Sequence, residues 1–223
     1  MSNFTNSPLI VHTRLSPHRN SPRNRPISKI TIHHTAGNIG LENLGEWLSR
    51  PSTQASYNYG ISSDGRIGMF VEERNRTWAS SSPQNDHQAV TIGVANITGA
   101  PNWGVSDMAY QSLITLCVDI CRRNGIAQLV YNGTPSGSLT RHNMFAQRNC
   151  PGNFLQSRFP EICRLVNARL ANNASLEGVA PWAQEAWLWA MDALSMDGTR
   201  PTSQITRQEV MTLLHRFNSH INR

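Results

Sequence analysis

Two stretches far apart in the chain supply side chains that can ligate a metal ion. His142 and Cys150 lie in the run Leu139-Thr-Arg-His142-Asn-Met-Phe-Ala-Gln-Arg148-Asn-Cys150-Pro-Gly152. His33 and His34 end the strand-like run Lys29-Ile-Thr-Ile-His33-His34-Thr-Ala-Gly37. Two imidazoles and a thiolate form a ligand set for a catalytic zinc ion, Zn2+, with one coordination position left for water. Water on such an ion is acidified toward pH 7, so the reaction class implied is metal-assisted hydrolysis. A hydrolase of this kind also needs groups that stabilise an oxyanion and protonate a leaving amine.

Positioning those side chains takes a sheet. Lys29 to His34 alternates as a strand does, and a helix is expected from Glu42 to Ser49, ended by Arg50-Pro51. Tyr57 to Ser62 and Arg66 to Val71 read as strands joined by the turn Ser63-Asp-Gly65, a hairpin signal. Ala89 to Asn96 is apolar enough to lie centrally in a sheet. Asp107 to Asn124 reads as an amphipathic helix, capped by Ser106 or Asp107 and stopped by Gly125. Leu139 to His142 is a strand end that delivers His142, and Glu161 to Leu170 is a closing helix. Residues 1–28, rich in Pro, Ser, Asn and Arg, read as an irregular lead-in. Mixed strands and helices indicate an α/β domain with a central mixed sheet flanked by helices.

The chain has 223 residues, enough for one fair-sized domain with an appendage, and 39% hydrophobic residues argue against global disorder. Lys and Arg outnumber Asp and Glu by 20 to 14, giving +6. Residues 175–223 hold five acids and four bases, so the basic character belongs to the first domain and favours an anionic partner. Cys117 and Cys121 sit one helical turn apart and read as core thiols, as does Cys163; no zinc-ribbon or disulfide pattern is present. The N-terminus lacks the basic and apolar regions of a secretory signal, and no apolar run is long enough to cross a bilayer. Nucleic-acid binding would need a basic stripe interleaved with aromatics or a groove-entering motif, and neither is seen.

Ile32-His33-His34-Thr-Ala-Gly37, then Ser56-Tyr57-Asn-Tyr-Gly-Ile-Ser-Ser-Asp-Gly65, then His142 and Cys150-Pro-Gly152 resemble the type 2 N-acetylmuramoyl-L-alanine amidases. That family includes phage endolysins and peptidoglycan-recognition proteins. The likeness spans about residues 8–170, in the family's order. It implies zinc held by His33, His142 and Cys150, and hydrolysis of the amide between N-acetylmuramic acid and L-alanine of peptidoglycan. It also implies a cleft role for Tyr57 in orienting water or the scissile carbonyl. Arg148 stands where members carry Lys or Thr; a guanidinium donates to an oxyanion but transfers protons poorly. Arg148 is therefore expected to stabilise the transition state, and the general acid stays unassigned. Trp78 and Asn85 match the family's cleft-bordering segment and, with His34, are the candidate substrate-binding residues. His34, on the other face of its strand, also reads as a packed, hydrogen-bonded histidine. Two positions depart from the pattern: Ala95 stands where many members have Glu, and Ala79 where they have His.

The tail has a second resemblance. Trp182-Ala-Gln-Glu-Ala186, Asp197-Gly-Thr-Arg-Pro201 and Ile205-Thr206-Arg-Gln-Glu209 are similar to one shortened S-layer-homology repeat. Pro181 to Met191 reads as a helix, and Thr206 to Arg216 as another, opened by a Thr206–Glu209 capping box. The expected organisation is an amidase domain at 1–170, a linker at 171–178 and an all-α wall-binding module at 179–223. That module would bind a secondary wall polymer or self-associate as a homo-oligomer. The whole reads as an endolysin made in the host cytoplasm and acting on the Gram-positive wall after release. Alternatives of different kind are a non-catalytic peptidoglycan-binding protein, which typically loses the metal cysteine, and a host-encoded autolysin.

Overall fold

The computed structural model describes residues 4–171 and 203–221, with positions 179–180, 183, 186–187 and 189–190 between them. The chain divides into two compact units, Met1–Asn167 and Ala168–Arg223. The first holds β1 (His12–Thr13), β2 (Arg19–Asn20), β3 (Lys29–His34), α1 (Leu41–Ser49), β4 (Tyr59–Ile61), β5 (Ile67–Met69) and β6 (Arg76–Thr77). It continues with α2 (Pro83–Asp86), β7 (Ala89–Val94), α3 (Asp107–Arg123), β8 (Leu139–Arg141) and α4 (Asn153–Ala171), whose last turn runs into the second unit. Six strands form a mixed, mostly parallel sheet in the order β1-β5-β4-β7-β3-β8, and β2 pairs with β6 separately. The α/β architecture expected from the sequence is the one observed.

The alternation in β3 explains the two faces of the sheet. Ile30 and Ile32 share one face with Val90, Ile92, Val94 and Tyr59 of the neighbouring strands, all fully buried. α3 packs against β4 and β7, bringing Leu113, Ile114 and Cys117 into the core. Thr31 and His33 occupy the other face. There Thr31 bonds Thr140 of β8 at 2.8 Å, and Thr91 of β7 bonds Thr77 at 3.0 Å and Asn58 at 3.4 Å. Every one of these hydroxyls is buried and paired, as burial in a low-dielectric interior requires.

Along the same face the register runs His33–Gly93–Gly60–Gly68–His12 across β3, β7, β4, β5 and β1. Residues directly opposite in a sheet project to the same side, so three glycines in a row cut a trough beside His33. A Cβ on Gly93 would stand 2.8 Å from the Tyr57 ring; one on Gly60 would meet Leu44 at 2.6 Å and Phe70 at 2.7 Å. Tyr57 fills the trough at one end. Leu41, Leu44 and Leu48 of α1 close it with Phe70 at the other.

Several boundaries differ from expectation. The lead-in is not irregular throughout: β1 extends the sheet, with Val11 N–H donating to Ile67 O and Ser16 N–H to Phe70 O. Earlier residues converge on fully buried Glu73: Asn6 accepts from its N–H, and Ser7 N–H donates to the Tyr59 hydroxyl, which itself donates to the Glu73 carboxylate. Arg123 of α3 pairs with Glu73 at 2.6 Å and with Asp119 at 2.8 Å. α4 begins eight residues before the expected Glu161 because Asn153 and Phe154 N–H donate to Pro101 and Asn102 carbonyls. Pro160 lies inside that helix, directly before the expected start. α3 starts as expected, with Ser106 Oγ accepting from Ala109 N–H.

In the second unit the helix Arg207–Ile221 opens on the expected box: Glu209 N–H donates to Thr206 Oγ1, and Glu209 accepts from Thr206 N–H. The helix read at Pro181 to Met191 falls mostly outside the described residues, and so does the Asp197 to Pro201 motif. No helix among the described residues is long and apolar enough to cross a membrane.

Candidate metal centre

β3 and β8 are parallel neighbours paired at Ile32 and Arg141, so the next residues, His33 and His142, emerge side by side at the strand ends. Their ring centroids are 4.9 Å apart. After His142 the chain makes a 3-10 turn, and Asn143 N–H donates to Cys150 O, which folds the loop back toward β3. Cys150 Sγ then lies 3.6 Å from His33 Nδ1 and accepts from the His34 N–H at 3.3 Å. One ligand atom from each of His33, His142 and Cys150 falls within 4.8 Å of the other two. Among the described residues this is the only such cluster of His, Cys, Asp or Glu side chains.

The donor set fits a metal ion. His33 Nε2 and His142 Nε2 are both buried without a hydrogen-bond partner among the described residues, a costly arrangement unless something else takes up those nitrogens. Burial, with His142 and His34 nearby, holds the His33 imidazole well below its usual pKa. Burial and the Arg148 charge lower that of His142. Both rings are thus neutral at pH 7, the form that ligates. Burial pushes the Cys150 thiol up to about 12, so a cation is needed to draw off its proton.

Tyr57, half-buried over Gly93, has its ring 5.2 Å from that of His33. Burial first and the neighbouring Cys150 second raise its pKa, which keeps the phenol an O–H donor. Arg148 is exposed in the loop before Cys150, and its charge is felt at His142. The His34 ring is held through Nδ1, which accepts from Ala36 N–H at 2.9 Å. It stacks on Trp103 with centroids 4.8 Å apart and 29° between planes.

Two expected cleft residues have other partners. Asn85 is only 4% exposed, and its amide donates to Thr31 and Ser80 hydroxyls, so its side chain braces the polar face of the sheet from inside. Trp78 packs on His18 at 5.5 Å and donates through Nε1 to Asn20 at 2.7 Å, tying the lead-in to the domain. Ala95 is fully buried, its N–H donating to Ile61 O. The sequence reading missed Trp103 and Gly93. Trp103 is an isolated aromatic in a Gly- and Pro-marked loop with no periodicity to flag it, whereas Gly93 was visible only as a small residue in an apolar strand.

The family model described as N-acetylmuramoyl-L-alanine amidase matches residues 23–153, more than half of the chain. No curated protein matches in sequence. Among solved structures, hydrolase AmiA of Staphylococcus aureus, in complex with its ligand, aligns with a TM-score of 0.60 at 14% identity, over 80% of this chain and 90% of that one. The N-acetylmuramoyl-L-alanine amidase LysC of Clostridium intestinale aligns at 0.54 and 23% identity, over 72% and 99%. The endolysin N-acetylmuramoyl-L-alanine amidase LysCS of the same organism aligns at 0.50 and 22%, over 70% and 97%. At these identities the likeness is one of fold.

Proposed function

Since the chain belongs to the N-acetylmuramoyl-L-alanine amidase family, we propose that it is a zinc-dependent endolysin. It hydrolyses the amide between the lactyl group of N-acetylmuramic acid and L-alanine of the stem peptide. The observation that carries this reading is the convergence of His33, His142 and Cys150 within 4.8 Å, with Cys150 Sγ 3.6 Å from His33 Nδ1. These three residues would hold the ion. Bound zinc supplies Lewis acidity, lowering the pKa of water toward 7 and polarising a carbonyl.

The chain's own residues supply the rest. His33 and His142 stay neutral and keep lone pairs available. The His34 N–H steadies the Cys150 sulfur. Tyr57, kept protonated beside His33, donates its O–H to orient the attacking water or the carbonyl oxygen. Arg148 offers a fixed positive charge to the oxyanion. Water adds across the amide to give a lactyl carboxylate and a free L-alanine amine.

The same reading assigns catalysis to residues 1–170, a linker to 171–178 and wall targeting to 179–223. Support for a lytic role comes from the fold shared with the endolysin LysCS, and the basic first domain suits an anionic Gram-positive wall. The test is release of stem peptides with free L-alanine amino ends from purified walls, by wild type, chelated protein and Cys150→Ser, with zinc content measured in each. Activity with about one zinc per wild-type chain, falling at least about a hundredfold in the other two, is expected from loss of a ligand. Cleavage that survives both treatments would sink the metal assignment. Metal-loaded protein that binds walls without cleaving them would leave a binding module.

A further inference from the structure

Trp103 has a backbone conformation unusual for a bulky residue. Its φ is +51°, a left-handed backbone that a bulky side chain rarely adopts and that costs free energy unless the surroundings impose it. Here they do. Trp103 N–H donates to Gly99 O, its carbonyl accepts from Asn96 Nδ2 at 2.9 Å, and Gly104 N–H donates to Thr98 Oγ1 at 2.7 Å. The carbonyls of Pro101 and Asn102 take the first amides of α4. The Trp103 side chain lies where a Cβ on Gly152 would be, at 2.6 Å. Glycine or asparagine would satisfy this backbone without strain, yet the chain places an indole here and leaves it partly exposed.

The indole stacks on His34. That imidazole accepts from Ala36 N–H through Nδ1, and the main-chain N–H of the same residue donates to Cys150 Sγ. A rigid aromatic pair therefore flanks the metal centre. Asn96, whose amide holds the Trp103 carbonyl, is itself buried.

We propose that the Trp103–His34 stack is the platform for the sugar ring on the muramoyl side of the scissile amide. This rests on the amidase reading above. A flat, amphipathic aromatic surface suits the C–H face of a pyranose. It is far larger than the methyl of L-alanine on the other side of the bond would need. Trp103 is thus a specificity residue that the family pattern does not mark.

The test compares two soluble substrates cut at the same bond, an N-acetylmuramoyl-L-alanyl peptide and a D-lactoyl-L-alanyl peptide without sugar. Trp103→Asn keeps the left-handed backbone while deleting the ring, Trp103→Phe keeps a smaller ring, and Tm by circular dichroism checks folding. Trp103→Asn should raise KM about tenfold on the sugar substrate, the effect of withdrawing on the order of 50 Å2 of apolar contact. KM on the lactoyl peptide should rise far less, so that the ratio of the two KM values shifts about tenfold, and Trp103→Phe should lie between. Equal KM for wild type and Trp103→Asn on the sugar substrate, or equal losses on both substrates, would overturn the platform. Wild type inactive on both substrates would instead bring down the amidase reading, and the platform with it.

Discussion

Replacing Gly93 with alanine tests the geometry of the site without touching a metal-ligating group. The backbone at Gly93 is not left-handed, so only space is at issue. The added Cβ would stand 2.8, 2.9 and 3.3 Å from Cδ2, Cε2 and Cγ of Tyr57. Ordinary contact begins near 3.4 Å, so the ring must retreat by about 0.6 Å, and overpacking of this kind costs about 1–3 kcal/mol. Against that, alanine in a strand gains about 0.5–1 kcal/mol over glycine. The net expectation is a loss of about 0.5–2 kcal/mol, read by urea unfolding. In a Tyr57→Ala background the clash is absent, and Gly93→Ala should instead stabilise by about 0.5 kcal/mol. The cycle therefore carries a coupling of about 1–3 kcal/mol. Because misplacement of a reacting group by a fraction of an ångström is costly, turnover of Gly93→Ala should fall about ten- to a hundredfold with zinc content intact. Additivity within about 0.5 kcal/mol, or undiminished turnover, would refute the idea that the glycine trough seats Tyr57.

Other expectations follow from buried charge and buried thiols. Glu73→Ala leaves Arg123 without its buried partner and should destabilise by about 3–5 kcal/mol in urea unfolding; a loss under about 1 kcal/mol would mean that Arg123 relies on Asp119 alone. Burial raises the Cys117 thiol well above the ordinary range, Cys121 to about 12 and Cys163 to about 11. A thiol raised on folding contributes stability that is intact below pH 9, where the unfolded chain holds its protons too, and is lost as pH climbs toward 11–12. Unfolding free energy should therefore fall between pH 9 and 10.5. In the Cys117→Ala, Cys121→Ala, Cys163→Ala protein that limb should flatten, and identical slopes would exclude the thiols as its source.

What could be read from the sequence divides along physical lines. β3, β7 and α3 were legible because burial on one or both faces imposes a period, and the two ligand-bearing stretches because their donor types name a chemistry. The first eight residues of α4 were not legible, since the carbonyls of Pro101 and Asn102 that take its first amides are distant in sequence and a proline inside a helix resembles a helix start. Asn85 and Trp78 have the residue types of a cleft wall, and only coordinates reveal that their polar atoms are taken by Thr31, Ser80 and Asn20. Trp103 was illegible for the opposite reason: its significance lies in a backbone angle and a stacking partner 69 positions away in the chain.

The lead-in bears on how portable the catalytic unit is. The family pattern begins at residue 23, and excision at that point looks safe on paper. It would remove the edge strand β1, the Ser7 donor to Tyr59, the Asn6 acceptor for Glu73 and the Ser16 hydroxyl that donates to Leu48 O at 2.6 Å. Tyr59 and Glu73 are buried, so trimming would open the interior to water at the sheet edge. A chimera that grafts this unit onto a module of another protein should carry the chain from Thr5, whose carbonyl accepts from Arg123. The transplantable enzyme is longer than the motif that identifies it.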